Sequence, residues 1–262
     1  MSLVPVWGRP AHTKTTAVAE VVLLAFAPRK LDLSVSMSAS EHGAVTKDSL
    51  DGVQVTSHSR SRSPEWFDEW RSGALRALAE RDLGSLSALD AATQCYRIAS
   101  ETPDPVDLST LQASWAYAHY LASRGGSVLL DVMAGHYLPG GTVSGWQPTR
   151  PFEIAREVTV TFEVDASWNG RHLIHTRGMR KFARADLVAV VEAERAQAAA
   201  ELLNALARAQ AEGHVLHHGQ RVTVPGVGRA QLSSYVPGRN APEIELGNEA
   251  LLARLVLEPS RT

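Results

Sequence analysis

The stretch TQCYRIASETPDPVDLSTLQASWAYAHYLASRGGSVLLDVM, residues 93–133, decides the fold. Thr93 to Ser100 reads as a strand, and Pro103-Asp104-Pro105 breaks it ahead of a helix expected over Asp107 to Arg124. Along that helix Leu108, Leu111, Trp115, Ala118 and Ala122 share one apolar stripe. Gly125-Gly126 stops it, and Ser127 to Met133 follows as a short strand. Strand, helix and strand over about forty residues make a β-α-β unit, whose two strands run parallel, adjacent or one position apart.

Upstream, Ala17 to Ala27 is a continuous β-branched and leucine-rich run closed by Pro28, the pattern of a central strand covered on both faces. Leu31, Leu33, Val35 and Met37 alternate with Asp32, Ser34, Ser36 and Ser38, which predicts a strand with one wet face, in a hairpin with the run before it. Ser40 to Arg62 reads as a loop with one short strand at Val53 and Val55. Ser63-Pro64-Glu65 supplies a capping hydroxyl, a proline for the first helical position and an acid for the first turn. Phe67, Trp70, Ala74 and Leu78 then predict one helix reaching Arg81.

Downstream, Pro139, Gly140, Gly141, Gly145, Pro148 and Pro151 mark residues 139–151 as a long loop and candidate boundary between an N-terminal half, 1–138, and a C-terminal half, 152–262. Val158, Val160, Phe162 and Val164 alternate, and Asn169-Gly170 offers a tight hairpin turn into Leu173 and Ile174. Asp186 to Val191 is a further strand. Ala193 to Ala211, rich in alanine and closed by Gly213, is a helix. Pro225-Gly226 turns between Val222-Thr223-Val224 and Ala230-Gln231-Leu232, and a last strand is expected around Glu243 to Leu246. The whole reads as an α+β fold of two mixed sheet-plus-helix halves packed as one compact unit, with a ferredoxin-like arrangement as one option.

The 262 residues suit one large or two small domains. Lys and Arg number 26 against 28 Asp and Glu, a net charge of −2 that argues against nucleic acid as a partner, as does the lack of an RNP-like motif. A single cysteine, Cys95, can form neither an internal disulfide nor a zinc site by itself, which is compatible with a reducing compartment; no metal and no cofactor are expected. The start of the chain lacks a basic leader and apolar core, and the longest apolar run, Val21 to Ala27, is far short of the ~20 residues that span a bilayer. A cytoplasmic protein without a membrane segment is the expectation.

His175-Thr176-Arg177-Gly178-Met179-Arg180-Lys181-Phe182-Ala183-Arg184-Ala185-Asp186-Leu187 joins the hairpin to the strand before the alanine-rich helix. This segment resembles a motif of an uncharacterised bacterial domain-of-unknown-function family: Thr, any residue, Gly, an apolar residue, Phe three further on, then an acid and Leu. Asp107 to Ala116 and Val128 to Val132 resemble family sequence upstream, so the likeness runs from about residue 92 to 218. Ala183 departs from it, standing where the motif usually has glycine. Some members lie near toxin-immunity loci, so the resemblance implies an α+β fold and a setting in bacterial conflict, without implying a reaction.

Read without the family, Gly178 serves a turn or a close backbone approach and Phe182 anchors the loop in the core. Arg177, Arg180, Lys181 and Arg184 could instead clamp a carboxylate or phosphate. Asp131 at a strand end, His136 beyond it, and His175 are the candidate catalytic groups. His172 and His175 on a strand point to opposite faces, and no HExxH or paired-cysteine pattern is present. Trp7, Trp146 and Trp168 fall in expected loops, where an indole often anchors an interface. The leading functional reading is a non-enzymatic protein-binding module, an immunity or specificity factor. The alternative is a hydrolase- or transferase-like enzyme acting on an anionic substrate through Asp131, His136 or His175 with Arg177.

Overall fold

In the computed structural model, which describes residues 4–34, 36–45, 47–239, 241–244, 246 and 248–256, the apolar run Val18–Ala27 forms strand β1 and buries Leu23 to Ala27 completely. Two one-turn helices follow, α1 (Ala39–His42) and α2 (Lys47–Asp51), then strand β2 (Gln54–Ser59). Helices α3 (Pro64–Glu69), α4 (Gly73–Leu83) and α5 (Ser87–Asp90) lead to strand β3 (Gln94–Pro103) and the long helix α6 (Ser109–Ser123). Strands β4 (Val128–Asp131) and β5 (His136–Pro139) and helix α7 (Gly140–Ser144) complete a first compact unit, Val18–Phe152 with residues 4–8.

Its sheet has the order β2-β3-β1-β4-β5. β1 runs antiparallel to β3 on one side and to β4 on the other, so β3 and β4 are parallel and one position apart, joined by α6. The expected β-α-β unit is present in that split form, with β1 in the middle. On α6 all five stripe residues, Leu108 to Ala122, are buried, and the helix packs on β1, β3 and β4. A further core gathers Leu24, Phe26, Phe67, Leu89, Cys95 and Tyr137.

Three expectations fail here for physical reasons. Residues 31–34 and 36–38 form no strand, and Val35 lies outside the described residues. Both sides of β1 are already taken by β3 and β4, so no hairpin partner can be added, and the Leu31 amide donates to the Tyr96 hydroxyl at 2.8 Å instead. The helix expected from Ser63 to Arg81 is broken at Trp70–Ser72 into α3 and α4. Pro64 does open α3, while the Ser63 side chain caps nothing. Residues 139–151 are no open linker: Pro139 ends β5, and α7 follows at once. Gly140 serves packing, because a Cβ there would lie 1.9 Å from the Gly126 carbonyl oxygen.

The second unit comprises Arg9–Ala17 and the chain from Glu153 onward. It contains α8 (Ile154–Glu157), β6 (Thr159–Val164), β7 (Arg171–Arg177), β8 (Asp186–Glu192), α9 (Ala196–Ala211), β9 (Arg221–Val224), β10 (Gly228–Ser234) and β11 (Ala250–Leu255). The sheet order is β6-β7-β8-β11-β10-β9, antiparallel except that β11 runs parallel to β8. The Asn169-Gly170 hairpin and the β9–β10 hairpin fall where the turn residues placed them. The last strand does not. Glu243, Ile244 and Leu246 are irregular, Glu245 lies outside the described residues, and β11 forms instead because Ala250 to Leu252 pair with Asp186 to Val188. Among the described residues no helix is long and apolar enough to cross a membrane.

Register divides this sheet into two faces. Leu173, Val188 and Leu252 lie on one, covered by Tyr235, Ile244 and Leu246. Phe162, Ile174, Ala189, Leu187, Leu251, Leu255 and Ala230 follow one another across the other face, which α9 covers along β7 and β8.

If the glycine-rich segment is packed as described, Gly140→Ala is expected to cost about 1–3 kcal/mol or more in chemical denaturation. Gly141→Ala, whose added methyl meets nothing within 4 Å, should be neutral or stabilising by up to about 1 kcal/mol. Equal effects of the two would contradict the packing.

Candidate functional site

The segment 175–187 is a buried polar knot between β7 and β8. The Thr176 hydroxyl donates to Asp186 Oδ1 at 2.9 Å and accepts from the Leu187 amide at 2.9 Å, while Asn248 Nδ2 donates to Asp186 Oδ2 at 2.9 Å. Burial pushes the Asp186 carboxyl up to about 6, against the opposing effect of those donors. Gly178 has φ of 112°, and a Cβ there would sit 2.4 Å from the Glu157 carbonyl oxygen. Phe182 is fully buried, as its anchoring role requires.

The four cations of this segment do not converge on one external ligand. Lys181 is completely buried and its Nζ donates to Glu157 Oε2 at 2.7 Å, inside the unit. Arg184, also buried, donates Nε to the His214 carbonyl and Nη2 to the carbonyls of Gly213 and Thr13, all near 3 Å. Arg9 joins it, donating to the carbonyls of Ala211, Phe182 and Gln210. Arg9 therefore satisfies the last carbonyls of α9, where the helix dipole is negative, and Arg184 holds the two residues that follow its C-cap. Arg177 is half-buried and Arg180 exposed. Charge clustering in sequence pointed to a surface clamp, whereas burial and partners up to 171 residues distant turn two of its members into struts.

The catalytic candidates are likewise dispersed or enclosed. Asp131 and His136 face each other across the β4–β5 ladder in the first unit, and Asp131 Oδ1 accepts from the Ala134 amide at 3.0 Å, closing the turn between them. His175 belongs to the second unit, is wholly buried and pairs its Nε2 with Glu163 Oε1 at 2.8 Å; burial pushes the imidazole down. Cys95 is buried and its thiol is pushed up by desolvation. Among the described residues no three His, Cys, Asp or Glu side chains gather as a metal site would require.

Two of the three loop tryptophans are packed inward. Trp7 is 4 % exposed and donates Nε1 to the Arg150 carbonyl at 3.1 Å. The Arg150 guanidinium lies 4.2 Å from the Trp146 ring centre and 4.9 Å from that of Trp7, with Trp115 edge-on to Trp146. Beside this stack, His42 on α1 and His119 on α6 meet Nδ1 to Nδ1 at 2.8 Å. One imidazole must donate and the other accept, so the pair is broken once both rings are protonated. Burial pushes both below the ordinary histidine value, and hydrogen bonds of His119 to the backbone of Ser144 and Trp146 oppose this in part. The space enclosed here, about 20 Å³, admits no ligand larger than a water molecule. Trp168 is half-buried against the Leu173, Val188 and Leu252 core.

What remains open lies on the α9 face of the second sheet. β6 is an edge strand paired only with β7 among the described residues, and on it Phe162 is 47 % and Val164 64 % exposed. Register sets them opposite Ile174 and His172. The period-2 alternation of this strand is legible in sequence, whereas the exposure of Phe162 and Val164 at the sheet edge is not. Comparison with protein-family models, with curated proteins and with solved structures returned no match.

Lys181→Met, which strands the Glu157 charge, is expected to lower stability by about 3–5 kcal/mol, and adding Glu157→Gln should recover part of it, whereas Arg180→Ala should fall within about 0.5 kcal/mol. The histidine pair gives a signed pH effect. Folded-state values below the unfolded 6.5 mean that its contribution is present above pH 6.5 and is lost as pH falls through the folded values. Stability measured by urea unfolding should therefore drop more steeply from pH 7 to 5 in the native chain than in a His42→Gln/His119→Gln variant. Parallel profiles would show that the pair does not titrate on unfolding.

Proposed function

We propose that this chain is a non-enzymatic protein-binding module that recruits its partner by adding an extended segment of that partner to the free edge of β6. The observation that carries the reading is the pair Phe162 and Val164, both large, apolar and exposed on an unpaired edge strand. Such an edge offers a row of free backbone donors and acceptors and is ordinarily blunted by lysine, proline or shortness. β2 is polar, β5 has four residues and ends in proline, and β9 has four residues and starts with arginine. β6, TVTFEV, carries none of those protections, and its one charge, Glu163, is engaged with His175 on the opposite face.

In strand addition, main-chain hydrogen bonds supply affinity and alternate side chains supply selectivity. The partner's segment would present apolar residues at alternate positions, to lie beside Phe162 and Val164. The immunity or specificity role implied by the motif resemblance, and a cytoplasmic setting, belong to this proposal. The hydrolase- or transferase-like alternative has less support, since Asp131 is tied into a turn and His175 is enclosed with Glu163. Anion or nucleic-acid binding through Arg177, Arg180, Lys181 and Arg184 loses support because two of the four are spent internally.

The test is affinity capture on the native chain, followed by binding measurements on each stoichiometric protein with a Phe162→Lys/Val164→Lys variant. Both positions are exposed, so the fold should survive. Binding at least tenfold weaker in the variant is expected. Unchanged binding, or no stoichiometric protein at all, would overturn the reading.

A further inference from the structure

Strand β6 turns alternate side chains to the two faces of its sheet. Phe162 and Val164 share one face, and on the other stand Thr159, Thr161 and Glu163, set by register opposite Arg177, His175 and Leu173. Glu163 keeps 34 % of its side chain exposed while its Oε1 accepts from His175 Nε2. Burial holds that imidazole below the ordinary histidine value, so at neutral pH it donates as an uncharged ring and leaves the carboxylate charge uncompensated. Just past the strand, Asp165 is an exposed second carboxylate, its Oδ1 accepting from the Ser167 amide at 2.7 Å. The neighbouring cation on β7, Arg171, donates its Nε to the Trp168 carbonyl and stands opposite Glu192. Among the described residues no lysine or arginine forms an ion pair with Glu163 or Asp165.

We infer that the segment added to β6 is apolar on one face and basic on the other, with apolar residues beside Phe162 and Val164 alternating with lysine or arginine beside Glu163 and Asp165. The inference rests on strand addition at β6 and names the chemistry of the segment that is added. A residue of an added strand directly opposite Glu163 shares its face, with Cβ atoms about 4.5–5.5 Å apart, close enough for an opposite charge to be attracted and a like charge repelled. The period of two fixes the rest, because a partner that sets an apolar side chain beside Phe162 must turn the residues before and after it to the Glu163 face. An acidic segment would place like charges opposite each other along that face, and a neutral one would forgo the attraction. The net charge of the whole chain is only −2, so a preference for bases at this edge is a local property of Glu163 and Asp165.

The experiment is fluorescence anisotropy of labelled heptapeptides that alternate valine with lysine, with threonine or with glutamate, titrated with the full native chain. The lysine peptide is expected to bind at least about threefold more tightly than the threonine peptide, the scale of one cross-strand ion pair, and the glutamate peptide more weakly than either. Raising the salt concentration should bring the affinities together. Glu163→Gln/Asp165→Asn keeps an acceptor for His175 and for the Ser167 amide, so the fold should survive, and it should remove the difference between the lysine and threonine peptides. Failure of this inference and failure of strand addition read out differently. Equal binding of all the peptides, or a lysine preference that survives Glu163→Gln/Asp165→Asn, would overturn the basic partner, and strand addition would still stand if Phe162→Lys/Val164→Lys weakens the uncharged threonine peptide. No binding of any peptide, or threonine-peptide binding unchanged in that edge variant, would overturn strand addition and this inference with it.

Discussion

Among the described residues, one long helix, α9, covers one face of a six-stranded sheet. A helix with its side chains is about 10–12 Å across, while six strands spaced about 4.8 Å apart place the outer pair roughly 24 Å from each other. The mismatch cannot be removed by shifting α9, because Arg9 holds its last carbonyls, Arg184 holds the Gly213 and His214 carbonyls just past it, and Ala11 and Thr13 pair with Glu212 and Gly213. Packed mainly over β7 and β8, the helix covers β6 only in part and leaves Phe162 and Val164 exposed on that flank. The exposure of Phe162 and Val164, on which the functional account rests, follows from that constraint. The opposite face has no such gap beside β8, since Tyr235, Ile244 and Leu246 fold over it.

The buried ions explain why the helix sits where it does more than they explain stability. Burying Lys181 with Glu157 costs desolvation that their attraction only roughly repays, so the pair contributes little net energy compared with an apolar substitute. Each group nonetheless demands its partner, and the same holds for Asp186 among Thr176, Asn248 and the Met179 amide. Misplacing the loop between β7 and β8 would leave several of these groups unsatisfied at once. The segment that most resembles a family motif is thus accounted for as architecture, with Gly178, Lys181, Phe182, Arg184 and Asp186 each engaged in holding the loop.

Sequence made legible whatever depended on local periodicity or on turn residues. The central place of β1 followed from an unbroken apolar run, the split β-α-β from Pro and Gly punctuation around α6, and the second unit's hairpins from Asn169-Gly170 and Pro225-Gly226. Long-range competition was not legible. Leu31 to Met37 alternates as a strand should, yet β1 had no edge left to receive it. Ala250 to Leu255, with its leucines, alanines and arginine, has no strand signature of its own and becomes β11 only by pairing with β8. For the site the same division holds. Lys181 and Arg184 look like surface cations until Glu157 and the carbonyls at the end of α9 are seen beside them, and Trp7 and Trp146 look like exposed anchors until Arg150 is found between their rings. Phe162 and Val164 were noticed as half of a pattern whose exposure depends on how far a single helix reaches.

The claim that most needs testing is that β6 is an open edge, and amide hydrogen exchange of the free chain, resolved by residue, tests it most directly. Every second amide between residues 159 and 164 should exchange at close to the unprotected rate, while β8, flanked by β7 and β11, stays protected throughout. Protection of all the β6 amides at the level of β8 would mean that something already occupies this edge, and the account of the protein as a strand-accepting module would not stand.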